Sequence, residues 1–176
     1  WYLRTFELTQ EQRNGRVMLH FGAVDYECRV WVNGKEAGTH KGGYVSFQFD
    51  ITDLTVTGEN RVTVQAVDDQ RSGRQCKGKQ CGLFHSFGCE YTRTTGIWQT
   101  VWLEFLPSDY IEGVQLYPNI ADAALTIKAR TRGSGILRAE AWYDGTLCGS
   151  AETEITSGNG FLKLGLSQLH LWEAGN

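Results

Sequence analysis

Several things are scarce or missing in this sequence, and each absence narrows the reading. No run of consecutive apolar residues exceeds three, Val30-Trp31-Val32 being typical, which excludes a transmembrane helix. No stretch holds a helical period. No basic stripe accompanies the net charge of −3, so nucleic acid and anionic membranes are poor candidate partners. Neither a basic n-region nor an apolar h-region precedes the opening Trp1-Tyr2-Leu3-Arg4, so no signal peptide is visible; the start reads as mid-strand, as if a leader had been removed. Proline numbers only 2, well under the usual share of about 5%. The 5 cysteines are odd in number and cannot all pair within one chain. Free thiols favour a reducing compartment, and a cytoplasmic location is expected.

Glycine, by contrast, is abundant at 21 residues, and aromatics make up 12%. Together they suggest many tight turns between short strands. Alternation of period two runs along most of the chain. Val17, Leu19 and Phe21 share one face of a strand whose other face carries Met18 and His20. Cys28, Val30 and Val32 follow, and then Asn33-Gly34, the dipeptide suited to a type I′ hairpin because both positions tolerate positive φ. Phe47, Phe49 and Ile51 make a third buried row, Val62, Val64 and Ala66 a fourth, Val101, Leu103 and Phe105 a fifth. The fold class is therefore all-β. Leu106-Pro107-Ser108-Asp109-Tyr110 interrupts the pattern and predicts a domain boundary, with one domain over 1–107 and another over 108–176. In the second, Leu125–Ala129, Ile136–Tyr143, the turn Asp144-Gly145 and Phe161–Leu166 have immunoglobulin-like spacing. It falls short of the usual length of about 100 residues and reads as C-terminally truncated.

The richest segment for chemistry is Asp68–Gly96, which separates two good strands without alternation of its own. A connection longer than about 15 residues inside a compact domain is usually functional or disordered. It carries Asp68, Lys79, Gln80, His85, Glu90 and Tyr91 among other polar groups, a mixture of acceptors and donors suited to a hydroxyl-rich ligand. The solvated loop tip is the simpler reading for any one of them. Cys76, Cys81 and Cys89 with His85 are too irregularly spaced for a structural zinc site, and no metal or other cofactor is expected. In His40-Lys41-Gly42-Gly43-Tyr44 the paired glycines suggest a tight backbone path with Tyr44 packed beneath. Trp31, Trp98 and Trp102 could stack on sugar rings, although burial is commoner for tryptophan.

The order of these motifs resembles glycoside hydrolase family 2. Trp1-Tyr2-Leu3-Arg4-Thr5-Phe6 is similar to the opening strand of that family's N-terminal sugar-binding domain. Arg16–Asp25 is similar to its next strand, and Val30-Trp31-Val32-Asn33-Gly34-Lys35, Gly42-Gly43-Tyr44, Phe49-Asp50-Ile51-Thr52-Asp53, Gly58-Glu59-Asn60, Gly78-Lys79-Gln80 and Tyr91–Glu104 follow in family order. Residues 108–176 resemble the next module, with Leu169-His170-Leu171-Trp172 similar to one of its strands.

The resemblance implies a jelly-roll, galactose-binding-like β-sandwich, an immunoglobulin-like sandwich, and then a (β/α)8 barrel that hydrolyses β-glycosides with retention. Retention needs two carboxylates about 5–5.5 Å apart, and the family's acid/base glutamate follows an asparagine. Asn14, Asn33, Asn60, Asn119, Asn159 and Asn176 all lack a following glutamate, so no catalytic residue is assigned and the chain alone is expected to be inactive. The expected partners are the barrel of the parent enzyme and, through it, a β-linked carbohydrate. A β-galactosidase-like parent is the leading reading, and an autonomous lectin-like carbohydrate-binding module the alternative. The resemblance also places Glu90, six residues before Gly96-Ile97, where the family has a pocket aspartate. The loop, lacking the barrel, is expected to be mobile.

Overall fold

A computed structural model describes residues 1–156 and 158–175. It divides into two units, Trp1–Pro107 and Ser108–Asn176, each built of antiparallel sheets and hairpins. Among the described residues there is no α-helix, and a single 3-10 turn spans Thr52–Leu54.

Nine strands make the first unit: β1 (Tyr2–Leu8), β2 (Arg16–Phe21), β3 (Val24–Asp25), β4 (Glu27–Val32), β5 (Lys35–Lys41), β6 (Phe47–Asp50), β7 (Gly58–Val67), β8 (Gly96–Ile97) and β9 (Val101–Leu106). One sheet has the order β1-β7-β4-β5, the other β6-β2-β9, and β3 pairs with β8 beside them. The alternating rows meet in one core. Val17, Phe21, Val30, Val32 and Ile51 are fully shielded, and Leu19, Cys28 and Val64 are nearly so. Phe21 stacks on Phe47 with ring centroids 4.8 Å apart and meets Phe49 edge-on at 6.4 Å. Met18, on the opposite face of β2, is only 6% exposed, so β2 is covered on both sides at that point, unlike a strand with one wet face.

The turn between β4 and β5 takes the conformation its dipeptide favours, with φ of 50° at Asn33 and 80° at Gly34. Asn33 then does more than turn the chain. Its side-chain oxygen accepts from the Arg61 amide at 2.9 Å and its nitrogen donates to Asn60 at 2.8 Å. Asn60, 1% exposed, also donates to the carbonyls of Val56 and Gly58 and accepts from the Val56 amide. One buried amide therefore closes the approach to β7 and ties it to the β4–β5 hairpin.

The second unit contains β10 (Tyr110–Asn119), β11 (Ala124–Arg132), β12 (Gly135–Tyr143), β13 (Thr146–Ile155) and β14 (Gly158–Gly165). β10-β11-β14 form one sheet and β12-β13 a hairpin turned at Asp144-Gly145. Its interior holds Ile127, Ala129, Leu137, Cys148, Leu162 and Leu164. The expected strand at Leu169–Trp172 is absent. The last ladder-like bonds run from the Leu166 amide to Ala123 and from the Ser167 amide to Cys148; beyond them Leu171 and Trp172 are exposed, and His170 stacks on Tyr143.

Candidate functional site

The segment from Asp68 to Thr95 leaves the end of β7 and returns to β8. It is held to the first sandwich by a partly buried polar cluster rather than standing free. At its centre Gln80 Nε2 donates to Asp25 Oδ2 at 2.8 Å, reaching from the loop to β3. Gln80 Oε1 accepts from Gln70 Nε2 and from the Thr94 amide, both at 2.7 Å. Gln70 Nε2 also lies 2.8 Å from Asp68 Oδ2 and 2.9 Å from the Thr94 carbonyl. Asp68 in turn accepts from the Thr95 hydroxyl at 2.9 Å and from the Gln75 amide. A loop whose two ends and middle converge on one glutamine has a defined path along the sandwich.

Asp25 is the most constrained member. It is 5% exposed, and its Oδ1 is buried with no hydrogen-bond partner. Gly43 packs directly against that oxygen; a Cβ there would stand 2.5 Å from it, so a side chain is excluded by contact. Burial pushes the Asp25 carboxyl above the ordinary carboxylate range; the Gln80 hydrogen bond opposes this and the nearby Asp68 charge adds to it. The carbonyl of Gly43 accepts from Trp98 Nε1 at 2.8 Å. Tyr44, expected to pack beneath the glycines, is instead 55% exposed and meets Trp98 edge-on, because the space below is already taken by Asp25 and Trp98.

The outer part of the loop folds back on itself. The Tyr91 amide donates to the Lys79 carbonyl and the Cys81 amide to the Tyr91 carbonyl, each at 2.7 Å. This places Gln80 beside Tyr91 and Phe87 beside Glu90. Glu90, half-exposed, pairs with Lys77 at 2.8 Å; hydrogen bonds from Lys77 and then from the Cys81 thiol hold its carboxyl below the usual range. The Lys79 ammonium sits 5.9 Å from the Tyr91 ring centre, and the Arg93 guanidinium 4.0 Å from that of Phe84. Phe84, Phe87 and Tyr91 are 82%, 69% and 66% exposed, so the loop presents aromatic faces beside charge. A polar recess of about 330 Å³ beside its base is lined by Asp68, Asp69, Gln70, Arg71, Arg93 and Thr95.

The six sequence-chosen residues thus fall into three places. Asp68 and Gln80 lie in the partly buried cluster; Lys79, Glu90 and Tyr91 lie on the folded-back strip; His85 lies at the exposed tip. Asp25, Gln70 and Lys77 were not singled out from sequence. An acid placed directly after Ala23-Val24 and before Tyr26 was a usable signal for Asp25, whereas nothing local marks Gln70. Of the cysteines, Cys81 is buried with its sulfur 3.4 Å from the Leu83 amide, while Cys76 and Cys89 are exposed.

The family model described as "Glycosyl hydrolases family 2, sugar binding domain" matches residues 1–107. The chain belongs to this family. Similar curated proteins include the β-galactosidase of Thermoanaerobacter pseudethanolicus, 29% identical over 165 residues, which are 88% of this chain and 21% of that protein. The β-glucuronidase of Paenibacillus borealis is 45% identical over 65 residues, 36% of this chain and 11% of that protein. Among solved structures, a β-glycosidase from Bacteroides vulgatus superposes with a TM-score of 0.74 at 20% identity, covering 98% of this chain and 21% of that one. The family 2 chain described here therefore spans about a tenth to a fifth of the length of these relatives, and residues 1–107 are its N-terminal sugar-binding-type domain.

Proposed function

We propose that this chain is the non-catalytic N-terminal part of a retaining family 2 β-glycosidase, β-galactosidase-like, whose (β/α)8 barrel carries the chemistry. In that assembly the Asp68–Thr95 segment forms part of the active-site wall. The observation that carries the reading is the division of labour within the loop. The Asp25–Gln80–Gln70 cluster fixes its base, and the folded-back strip offers an ionised carboxylate, Glu90, that is paired yet accessible. A fixed acceptor of this kind can take a hydrogen bond from a sugar hydroxyl without first being ordered. The match to both β-galactosidases and β-glucuronidases supports the reaction class.

The test is made in the parent enzyme. Glu90→Gln keeps the shape and removes the charge, and kcat/KM on a chromogenic β-galactoside should fall about ten- to a hundredfold. Thr92→Ala, on the same strip, controls for disturbance of the loop. A Glu90→Gln enzyme within about twofold of the wild type would show that the carboxylate is a solvated loop charge and that the wall lies elsewhere.

A further inference from the structure

The second unit plays no part in the proposed active-site wall, and its charges are unevenly placed. Acidic residues outnumber the five basic ones in 108–176. Four of those five, Lys128, Arg130, Arg132 and Lys163, nevertheless share the outer face of the sheet β10-β11-β14. Alternation in β11 turns Ile127, Ala129 and Thr131 inward and leaves Lys128, Arg130 and Arg132 on the other side. Register places Gln115 and Phe161 beside Lys128, Gly113 and Asn159 beside Arg130, and Lys163 beside Thr126. A groove of about 270 Å³ opens on this face, lined by Gly113, Val114, Gln115, Lys128, Arg130 and Asn159.

A bulge in β10 shapes the groove. The register shift between Ile111 and Gly113 leaves Glu112 as the extra residue, and a bulge of this kind re-aims a side chain. One Glu112 oxygen pairs with Arg130 Nε at 2.9 Å and the other with Arg132 Nε. A single carboxylate shared by two guanidiniums leaves a net positive charge. It also engages Arg130 through Nε alone, so the terminal nitrogens remain for a ligand. Gly113 adds no side chain there: a Cβ would meet only Arg130 Nη2, 3.9 Å away, so the guanidinium end borders the opening that the glycine leaves. Lys163 pairs with Asp122 at 3.5 Å. Lys128 has no carboxylate partner among the described residues, and its ammonium lies 5.8 Å from the Phe161 ring centre. Gln115 uses its oxygen to accept from the Tyr117 hydroxyl, which leaves its amide nitrogen to donate. Four other recesses of the chain each have a carboxylate in the wall: Glu27, Asp109, Asp68 with Asp69, and Glu27 with Asp69. This one has none. All four of its polar side chains can donate and two are cations, which suits a compact anion with several acceptor oxygens. Four cations with two carboxylates among them fall short of the row of phosphate contacts that holds a nucleic acid. The volume lies below the roughly 300 Å³ at which drug-sized sites begin, and it fits a small ion.

We propose that this groove binds a tetrahedral oxyanion, a phosphate or sulfate group, between Lys128 and Arg130, with the amides of Gln115 and Asn159 completing the donor set. The group is either a free ion or the end of an ester, and the site depends neither on the loop nor on a barrel. Sodium phosphate, sodium sulfate and methyl phosphate are titrated into the 176-residue chain near neutral pH, with sodium chloride holding the ionic strength constant. Backbone and side-chain amide shifts are followed. Saturable shifts with each probe are expected at residues 113, 115, 128, 130 and 159, with a Kd of about 1–10 mM. Equal affinity for phosphate and methyl phosphate assigns the free ion, and binding of the ester at least about threefold tighter assigns an esterified group; both support the site. Lys128→Gln removes the unpaired cation and Asn159→Asp puts a carboxylate in the wall, and each should weaken binding at least about fivefold. Lys163→Gln, on the same face but outside the groove, should change it less than about twofold. If Asn159→Asp does not fold, Lys128→Gln and Arg130→Gln decide the matter. The proposal is overturned by shifts that stay linear, or equal those of chloride alone, up to about 50 mM of every probe. Binding indifferent to the folded groove variants would overturn it too, as would a Lys163→Gln loss equal to that of Lys128→Gln, the mark of diffuse surface charge.

Discussion

Gln80 is the residue through which the long loop and the sandwich communicate, and replacing it by alanine tests the whole arrangement. The substitution removes one hydrogen bond to a carboxylate, that of Asp25, and three between neutral groups, from Gln70, from the Thr94 amide and, at 3.3 Å, from the Thr94 hydroxyl. The first type contributes about 1.5–3 kcal/mol and each of the others about 0.5–1.5 kcal/mol. Gln80 is half-buried, so water can reach some of the groups it leaves behind and restore part of that sum. A net loss of about 2–3 kcal/mol follows for the first unit, with Asp25 and Gln70, both more than nine-tenths buried, as the groups least able to recover. For a domain of this size that is a fall in Tm of about 10–20 °C.

Urea unfolding followed by tryptophan fluorescence reads the effect. Trp1, Trp31, Trp98 and Trp102 report on the first unit, while Trp142 and Trp172 report on the second. The transition assigned to the first unit should move to lower urea with its slope unchanged, and the second should stay where it is. Amide exchange within 76–94 should quicken before the rest of the sandwich does, because the cluster holds that segment locally. His85→Ala, at the exposed tip, should shift neither. A Gln80→Ala loss below about 0.5 kcal/mol, or exchange in the loop equal to the wild type, would refute the claim that this cluster fixes the loop.

Three other outcomes follow from the same structure. Asp25→Asn should be as stable as the wild type or more so at pH 7, and that advantage should shrink on acidification: burial raises the folded-state pKa of Asp25 above the unfolded value, so its contribution is full below the unfolded pKa of about 3.9 and is lost as pH rises through the folded one; an advantage of the variant that grows as pH falls, measured by urea midpoints at several pH values, would contradict this. Asn60→Ala should destabilise the first unit by about 2–4 kcal/mol, since it strips partners from the Val56 amide and carbonyl and from Asn33 in a fully buried place; a midpoint shift worth less than 1 kcal/mol would show that water replaces it. The chain by itself should not hydrolyse chromogenic β-galactosides, β-glucuronides or β-mannosides, and turnover that scales with purified chain through repeated purification would overturn its non-catalytic assignment.

What could be read without coordinates was set by period. Alternation exposed β2, β4, β6 and β7 because each puts an apolar row into one core; β9 shows the same alternation, but only Leu103 of its row packs there, Val101 and Phe105 being exposed. It failed for β5, an edge strand of the sequence Lys-Glu-Ala-Gly-Thr-His-Lys whose buried-side residues are small or polar. It failed also for β10, where a register shift between Ile111 and Gly113 breaks the period and exposed apolar side chains such as Val114, Leu116 and Tyr117 leave no one-sided pattern. The site was legible only as a segment. That Asp68–Gly96 carried polar groups between two strands was plain, but which of them face one another depends on contacts as distant in sequence as Asp25 and Gln80, and no local rule encodes such a pair.

The way the loop is anchored also separates residues that sequence reasoning had to treat alike. Asp68 and Gln80 looked as available for a ligand as Glu90 and Tyr91, since all four are polar or amphipathic residues of one irregular segment. Their hydrogen-bonding capacity is used differently. Gln80 spends both ends of its amide on Asp25, Gln70 and Thr94, and Asp68 engages both oxygens with Gln70, Gln75 and Thr95. Glu90 Oε1 takes the Lys77 ammonium, and the Tyr91 ring is two-thirds exposed. A ligand that drew on the first pair would have to break the bonds that give the loop its path, at a cost of a kilocalorie or more for each. One that drew on Glu90 and Tyr91 would meet groups already placed and would compete with the half-exposed Lys77 pair rather than with the bonds that fix the base of the loop. In a substitution series, changes at Asp68 and Gln80 should therefore register first in stability, and changes at Glu90 and Tyr91 first in kinetics or binding.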